Sequence, residues 1–204
     1  MTELLTSKTL DALVLAGGES SRMGGPKAML PLGNTTLLGA TLDRLRPLFR
    51  RVIVVARQRE ALVGLEAEIL TDDRPERGPL VGLVRGLAAS NAPWCFLTGC
   101  DMPFLHPGVI GRMVENLDGC DILVPRINGR WQTLHAFYSQ KCLSRATELL
   151  DNDVTFMRPL FPLCQTRTMV ASDFTDLDPE LRSFMDVDTQ DDYRVVRELS
   201  KGFL

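Results

Sequence analysis

Apolar residues along this chain gather in short unbroken runs, with longer stretches between them in which they recur every three or four positions. Asp11–Ala16 (DALVLA), Arg51–Ala56 (RVIVVA), Trp94–Gly99 (WCFLTG) and Asp121–Arg126 (DILVPR) are apolar nearly throughout. A strand covered on both faces has this pattern, because neither set of alternating side chains meets water. Helical period marks TTLLGATLDRLRPLF, PLVGLVRGLAAS and PGVIGRMVENL. Thr35 or Thr36 can cap the first of these, and Pro107 suits the first turn of the third. Strands alternating with helices predict an α/β fold, with a mostly parallel central sheet and helices on both faces.

The second half is less regular. Asn128-Gly129, in INGRWQ, predicts a hairpin turn. Thr133–Ser139 (TLHAFYS) then reads as a strand running antiparallel to its neighbours. Gln140 to Cys164 reads as mainly helical, broken at Pro159 and Pro162. FMDVDTQDDYRVVREL reads as a short strand, a Thr189 cap and a closing helix. No repeat, low-complexity tract or linker interrupts the chain, so residues 1–204 are expected to form a single domain.

Composition narrows the function classes. At 204 residues, 45% hydrophobic and 24% charged, the chain can build one substantial core. A net charge of −3 argues against a broad nucleic-acid surface. The cysteines, Cys95, Cys100, Cys120, Cys142 and Cys164, form no C-x-x-C pair, and only His106 and His135 are available to help bind a metal. Neither a zinc site nor a disulfide framework is expected, and reduced thiols suit a cytoplasmic protein. MTELLTSKTLDALVLAGG has no hydrophobic segment of signal-peptide type, and no run approaches the ~20 apolar residues that span a bilayer. Neither nucleic acid nor membrane is expected as a partner. The surface pattern does not choose between monomer and dimer.

The first apolar run breaks into a loop holding Gly17, Gly18, Gly24 and Gly25 with two cations, Arg22 and Lys27. Without Cβ atoms, backbone N–H groups can approach an anion closely, and a following helix adds positive potential. The pattern points to a polyphosphate. It is not a Walker loop, because Lys27 lies between Pro26 and Ala28, and the adjacent Gly17 and Gly18 fail the G-x-G-x-x-G fingerprint.

LAGGESSRMGGPKAML is similar to the L-x-G-G-x-x-x-R-M-G-x-x-K signature of the MobA-like nucleotidyltransferases, most of all the molybdenum cofactor guanylyltransferases. LTDDRPERGPLVGL, LTGCDMPFL and SFMDVDTQDDY resemble later elements of that family in order and spacing, so the resemblance covers nearly the whole chain. It implies a Rossmann-like nucleotidyltransferase fold, with a nucleotide-binding half at about 9–105 and an acceptor-binding half at about 106–204. The implied reaction transfers a nucleoside monophosphate, GMP from GTP, to the terminal phosphate of molybdopterin and releases pyrophosphate.

By the same resemblance, Arg22 and Lys27 face the triphosphate and the leaving pyrophosphate. Leu15, Ala16, Gly17, Gly18, Asp72, Gly78, Pro79 and Leu80 line the nucleotide, with Asp73 replacing Asp72 if the alignment slips by one. Asp101, at the end of a strand, is the Mg²⁺ ligand, joined by Asp186 or Asp188 if either carboxylate reaches the ion rather than capping a helix. His135, Arg158, Asp186 and Asp188 are candidates for the acceptor side, with a core histidine the alternative for His135 and a surface salt bridge for Arg158.

Two departures keep alternatives open. Guanylyltransferases often carry Asn at the positions of Asp186 and Asp188, and Asn near the end of the second strand, where this chain has Val54, Val55 and Ala56. CTP is therefore an alternative donor, and a sugar phosphate or other small phosphorylated metabolite an alternative acceptor.

Overall fold

A computed structural model of the chain describes residues 7–17, 26–62, 64–72 and 74–201. In chain order its strands and helices are β1 (Asp11–Leu15), β2 (Pro31–Leu32), β3 (Thr35–Thr36), α1 (Leu37–Leu45), β4 (Arg51–Ala56), β5 (Glu68–Thr71), α2 (Pro79–Ala89) and β6 (Trp94–Gly99). There follow α3 (Pro107–Val114), β7 (Ile122–Ile127), β8 (Arg130–Trp131), β9 (His135–Ser139), α4 (Cys142–Leu150), β10 (Thr166–Val170) and α5 (Gln190–Ser200).

One sheet runs through both halves in the order β10-β7-β9-β6-β1-β4-β5, with β8 paired to β7. Strands β5, β4, β1 and β6 are parallel, and so are β7 and β10. β9 enters antiparallel between β6 and β7, with His135 opposite Thr98 and Tyr138 opposite Ile122. The sheet is therefore mostly parallel, as the apolar runs predict.

Alternation along β1 shows how both faces are covered. Ala12 and Val14 pack with Leu38 and Leu42 of α1 and Val109 and Met113 of α3. Leu13 points the other way, towards Leu83 and Leu87 of α2 and Ala146 and Leu150 of α4. A period of two thus gives each face its own pair of helices. A smaller cluster joins Leu32, Leu37, Phe104, Val187 and Val196, bringing α5 and the chain before it against α1.

Local signals act where they are expected. Thr36 caps α1 by accepting from the Gly39 N–H at 3.0 Å, Pro107 opens α3, and Thr189 and Asp192 form a reciprocal capping box on α5. Asn128 and Gly129 both adopt positive φ in the β7–β8 turn.

The sheet's two edge strands were not foreseen, and two expectations change. The edge strands β5 and β10 have no apolar run to reveal them: β5 buries no residue fully, and β10 buries only Met169. The strand expected before α5 does not form. Residues Arg182–Phe184 make a 3₁₀ turn that buries Phe184, and of residues 185–189 only Val187 is buried, its N–H donating to the Asp101 carbonyl at 3.2 Å. The helix expected up to Cys164 ends at Leu150, and a 3₁₀ segment, Arg158–Leu163, resumes around Pro159 and Pro162. No helix among the described residues is long and apolar enough to cross a membrane.

Candidate functional site

β1 has β4 on one side and β6 on the other. The chain leaves it one way for β4 and β5, then crosses back to β6. At such a reversal the connections diverge to opposite sides and leave a crevice beyond the carboxyl ends of the strands. A cleft of about 450 Å³ opens there, walled by Ala16 and Gly17 after β1, Ala56 and Arg57 at the end of β4, Asp72 after β5 and Asp101 after β6. Backbone bonds hold the turns in register: Ala16 N–H donates to Val55 (2.9 Å), Cys100 N–H to Leu15 (3.0 Å) and Asp72 N–H to Ala56 (2.9 Å).

The charged floor is built by three distant parts of the sequence. Lys27, which opens a short 3₁₀ turn, places its ammonium 2.5 Å from Asp101 and 2.9 Å from Asp188. Lys27 and Asp101 are each only 16% exposed, whereas Asp188 is 71% exposed. Burial by itself disfavours the ammonium, but Asp101 and then Asp188 outweigh it and raise the Lys27 pKa. Lys27 therefore stays protonated at neutral pH.

Asp186 joins the same field. Its pKa is raised, first by lost solvation and then by the negative charges of Asp188 and Asp101, with Lys27 partly offsetting them. Asp186 and Asp188 flank the buried Val187, whose N–H bond to Asp101 pins their segment beside the β6 turn.

Gly99 makes room for this arrangement. A Cβ added there would fall 2.3 Å from an oxygen of Asp101, so the carboxylate lies folded over a position that has no side chain. Gly78, at the head of α2, has φ of +153°, and a Cβ there would meet the Thr155 carbonyl oxygen at 2.3 Å. The Leu80 N–H donates to that same oxygen at 3.1 Å, which seats the start of α2 on the chain after α4.

Among the described residues, no group of three or more His, Cys, Asp or Glu side chains is arranged as a complete metal cage. Asp101 and Asp188, both already satisfying one cation, offer instead a pair of hard oxygen donors. That pair suits a divalent ion which completes its shell with phosphate and water.

Of the expected site residues, Leu15, Ala16, Gly17, Lys27, Asp72, Gly78, Pro79 and Asp101 all border the cleft. Gly18, Arg22 and Asp73 lie outside the described residues. Leu80 does not reach the cleft: its side chain is fully buried against α4 and the sheet.

His135 also faces inward, fully buried, edge-on to Phe96 at 5.1 Å and 4.5 Å from the Phe184 ring. Neither ring nitrogen has a hydrogen-bond partner. Burial lowers its pKa to about 3, against a smaller upward pull from the nearby Ser183 backbone. It is a core side chain, not one that touches a ligand. Arg158 is exposed at the start of the 3₁₀ segment Arg158–Leu163 and does not line the cleft.

Sequence reasoning missed Arg57, a cleft residue outside every motif. Where an Asn was sought near the end of β4, Val55 and Ala56 offer only apolar surface, and the next residue, Arg57, projects a guanidinium into the wall. Its position, first after a buried strand and level with Gly17 and Asp101, was the available signal.

Comparison with known proteins agrees with this geometry. Residues 12–162 match the MobA-like NTP transferase domain. A probable molybdenum cofactor guanylyltransferase of Methanosarcina acetivorans is 30% identical over 200 residues, covering 91% of this chain and 89% of the relative. A molybdenum cofactor guanylyltransferase of Desulfosudis oleivorans is 30% identical over 182 residues, covering 88% and 90%. In fold, the chain is similar to the molybdopterin-guanine dinucleotide biosynthesis protein A of Archaeoglobus fulgidus, with a TM-score of 0.84 over 95% of this chain and 100% of that one, at 23% identity. It is also similar to a Mycobacterium tuberculosis protein solved as a manganese complex, with a TM-score of 0.64 over 93% of this chain and 98% of that one, at 22% identity. The family match spans well over half of the sequence, and its residues include the walls of the cleft. This chain belongs to the MobA-like NTP transferase family.

Proposed function

We propose that this protein transfers GMP from GTP to the terminal phosphate of molybdopterin or molybdenum cofactor, with Mg²⁺, and releases pyrophosphate. The observation that carries the reading is the Lys27–Asp101 pair, set 2.5 Å apart on the floor of a cleft at the sheet's topological switch point. Both substrates are polyanionic, so most of the barrier lies in bringing phosphates together and stabilising the departing pyrophosphate. A largely buried ammonium beside carboxylates that can hold a cation answers that need.

In this reading the main chain of Leu15–Gly17 and the Asp72 and Gly78–Pro79 walls receive the nucleoside. Lys27, with Arg22, binds the triphosphate and follows charge onto the leaving group. Asp101 holds the divalent ion, with Asp188 beside it; when bound, the ion neutralises phosphate charge. Asp186, Asp188 and Arg158 are assigned to the acceptor side. The names of the relatives favour GTP over CTP and the pterin over other acceptors. The unpaired, largely buried cysteines favour a cytoplasmic setting.

The test is pyrophosphate release from GTP, CTP, ATP and UTP, with and without molybdenum cofactor, in Mg²⁺. Release from GTP that requires the cofactor is expected. Cofactor-dependent release from CTP alone would transfer the reading to cytidylyl transfer, and release that ignores the cofactor would discard the acceptor.

A further inference from the structure

Arg57 spends its donors on one loop. One terminal guanidinium nitrogen donates to the Glu76 carbonyl at 2.9 Å and the other to the Arg74 carbonyl at 3.2 Å. Its stem passes the β1 turn, with Cγ 3.6 Å from where a Gly17 Cβ would stand. A single side chain thus spans the cleft wall from the glycine turn to the loop between β5 and α2.

That loop carries Asp72 at one end and Gly78–Pro79 at the other, and all three border the cleft. Its ends are anchored independently. Asp72 N–H donates to Ala56, the Asp72 carboxylate accepts from Arg74 N–H at 3.2 Å, and α2 is seated on Thr155. Glu76, in the middle, takes its carbonyl's hydrogen bond from Arg57. A planar fork with fixed donor directions suits two carbonyls two residues apart, which a lysine ammonium does not match.

We propose that Arg57 is the positioning residue that holds residues 74–78 in place over the nucleoside, and so sets nucleotide affinity without entering the chemistry. The proposal rests on the nucleotidyltransferase reading above. Its hydrogen bonds go to loop carbonyls rather than to Lys27 or Asp101, so its loss loosens a wall and leaves the charged floor intact.

Two measurements test it on the full chain. In steady-state assays, Arg57→Ala is expected to raise KM for GTP by about 10- to 100-fold, with kcat within about threefold. Arg57→Lys, which can reach one carbonyl, is expected to fall between it and the parent. Hydrogen exchange of the Arg74 amide, which donates to the Asp72 carboxylate at 3.2 Å, is measured on nucleotide-free protein, so it decides the loop's dependence on Arg57 whatever the reaction is. Exchange there is expected to quicken about tenfold or more in Arg57→Ala, with α2 and the sheet unchanged. Unchanged exchange in that loop overturns the proposal. So does a fall in kcat at unchanged KM, which would move Arg57 into the chemistry.

Discussion

The Lys27 ammonium lies 2.5 Å from a carboxylate oxygen of Asp101, although the first follows a glycine-rich stretch after β1 and the second follows β6. Two parallel neighbours bring them together: the β1 and β6 backbones run in register, with Leu15 opposite Gly99. The pair is mostly buried, so its mutual attraction is less screened than that of a surface ion pair.

Lys27→Ala is expected to lower the rate of nucleotidyl transfer by about 10²–10³. The fold should persist, because Lys27 contributes no apolar surface to the main clusters. Rate measurements beside far-ultraviolet circular dichroism check both halves of this. Near-normal turnover in a folded variant would remove Lys27 from the catalytic role.

Gly99→Ala tests the carboxylate without removing it. The new Cβ would stand 2.3 Å from Asp101 Oδ1, the oxygen not bonded to Lys27, so the carboxylate must turn out of its present setting. The apparent affinity for Mg²⁺ is expected to weaken about tenfold or more, and turnover at limiting Mg²⁺ to fall with it. A Mg²⁺ titration of activity on the two proteins gives the comparison. An unchanged titration would mean that Asp101 does not hold the ion.

How much of this was legible depends on which atoms each feature uses. β1, β4, β6 and β7 are covered on both faces, so their sequences are apolar at consecutive positions and can be read directly. β5 and β10 lie at the sheet's edges, and TRTMV exposes Arg167, Thr168 and Val170 while burying Met169 alone, which leaves little pattern. Lys27, Asp72 and Asp101 sat in motifs of mixed residue type, long enough to stand out. Arg57 acts through carbonyls, which every residue has, so no spacing of side chains announces it. Leu80 and His135 stood beside motif residues, but helix and strand geometry turns them inward. A motif names a neighbourhood; the fold decides which of its members face the ligand.

His135 gives the last prediction, on stability. Its pKa is about 3 in the fold, where burial disfavours the imidazolium, against about 6.5 in an unfolded chain. Between these values the unfolded state binds the extra proton, so folding stability rises with pH across that window. The contribution is fully present above pH 6.5 and is lost as pH falls, by up to about 1.4 kcal/mol per pH unit. His135→Leu removes the titration and keeps an apolar group against Phe96 and Phe184. Urea unfolding of both proteins at pH 7, 6, 5 and 4 isolates the histidine, since the carboxylates are common to the two. Relative to the parent, the variant is expected to gain stability steadily as the pH is lowered. Parallel profiles would show that His135 meets its proton as easily in the fold as outside it, and so that the ring is not sealed in the core.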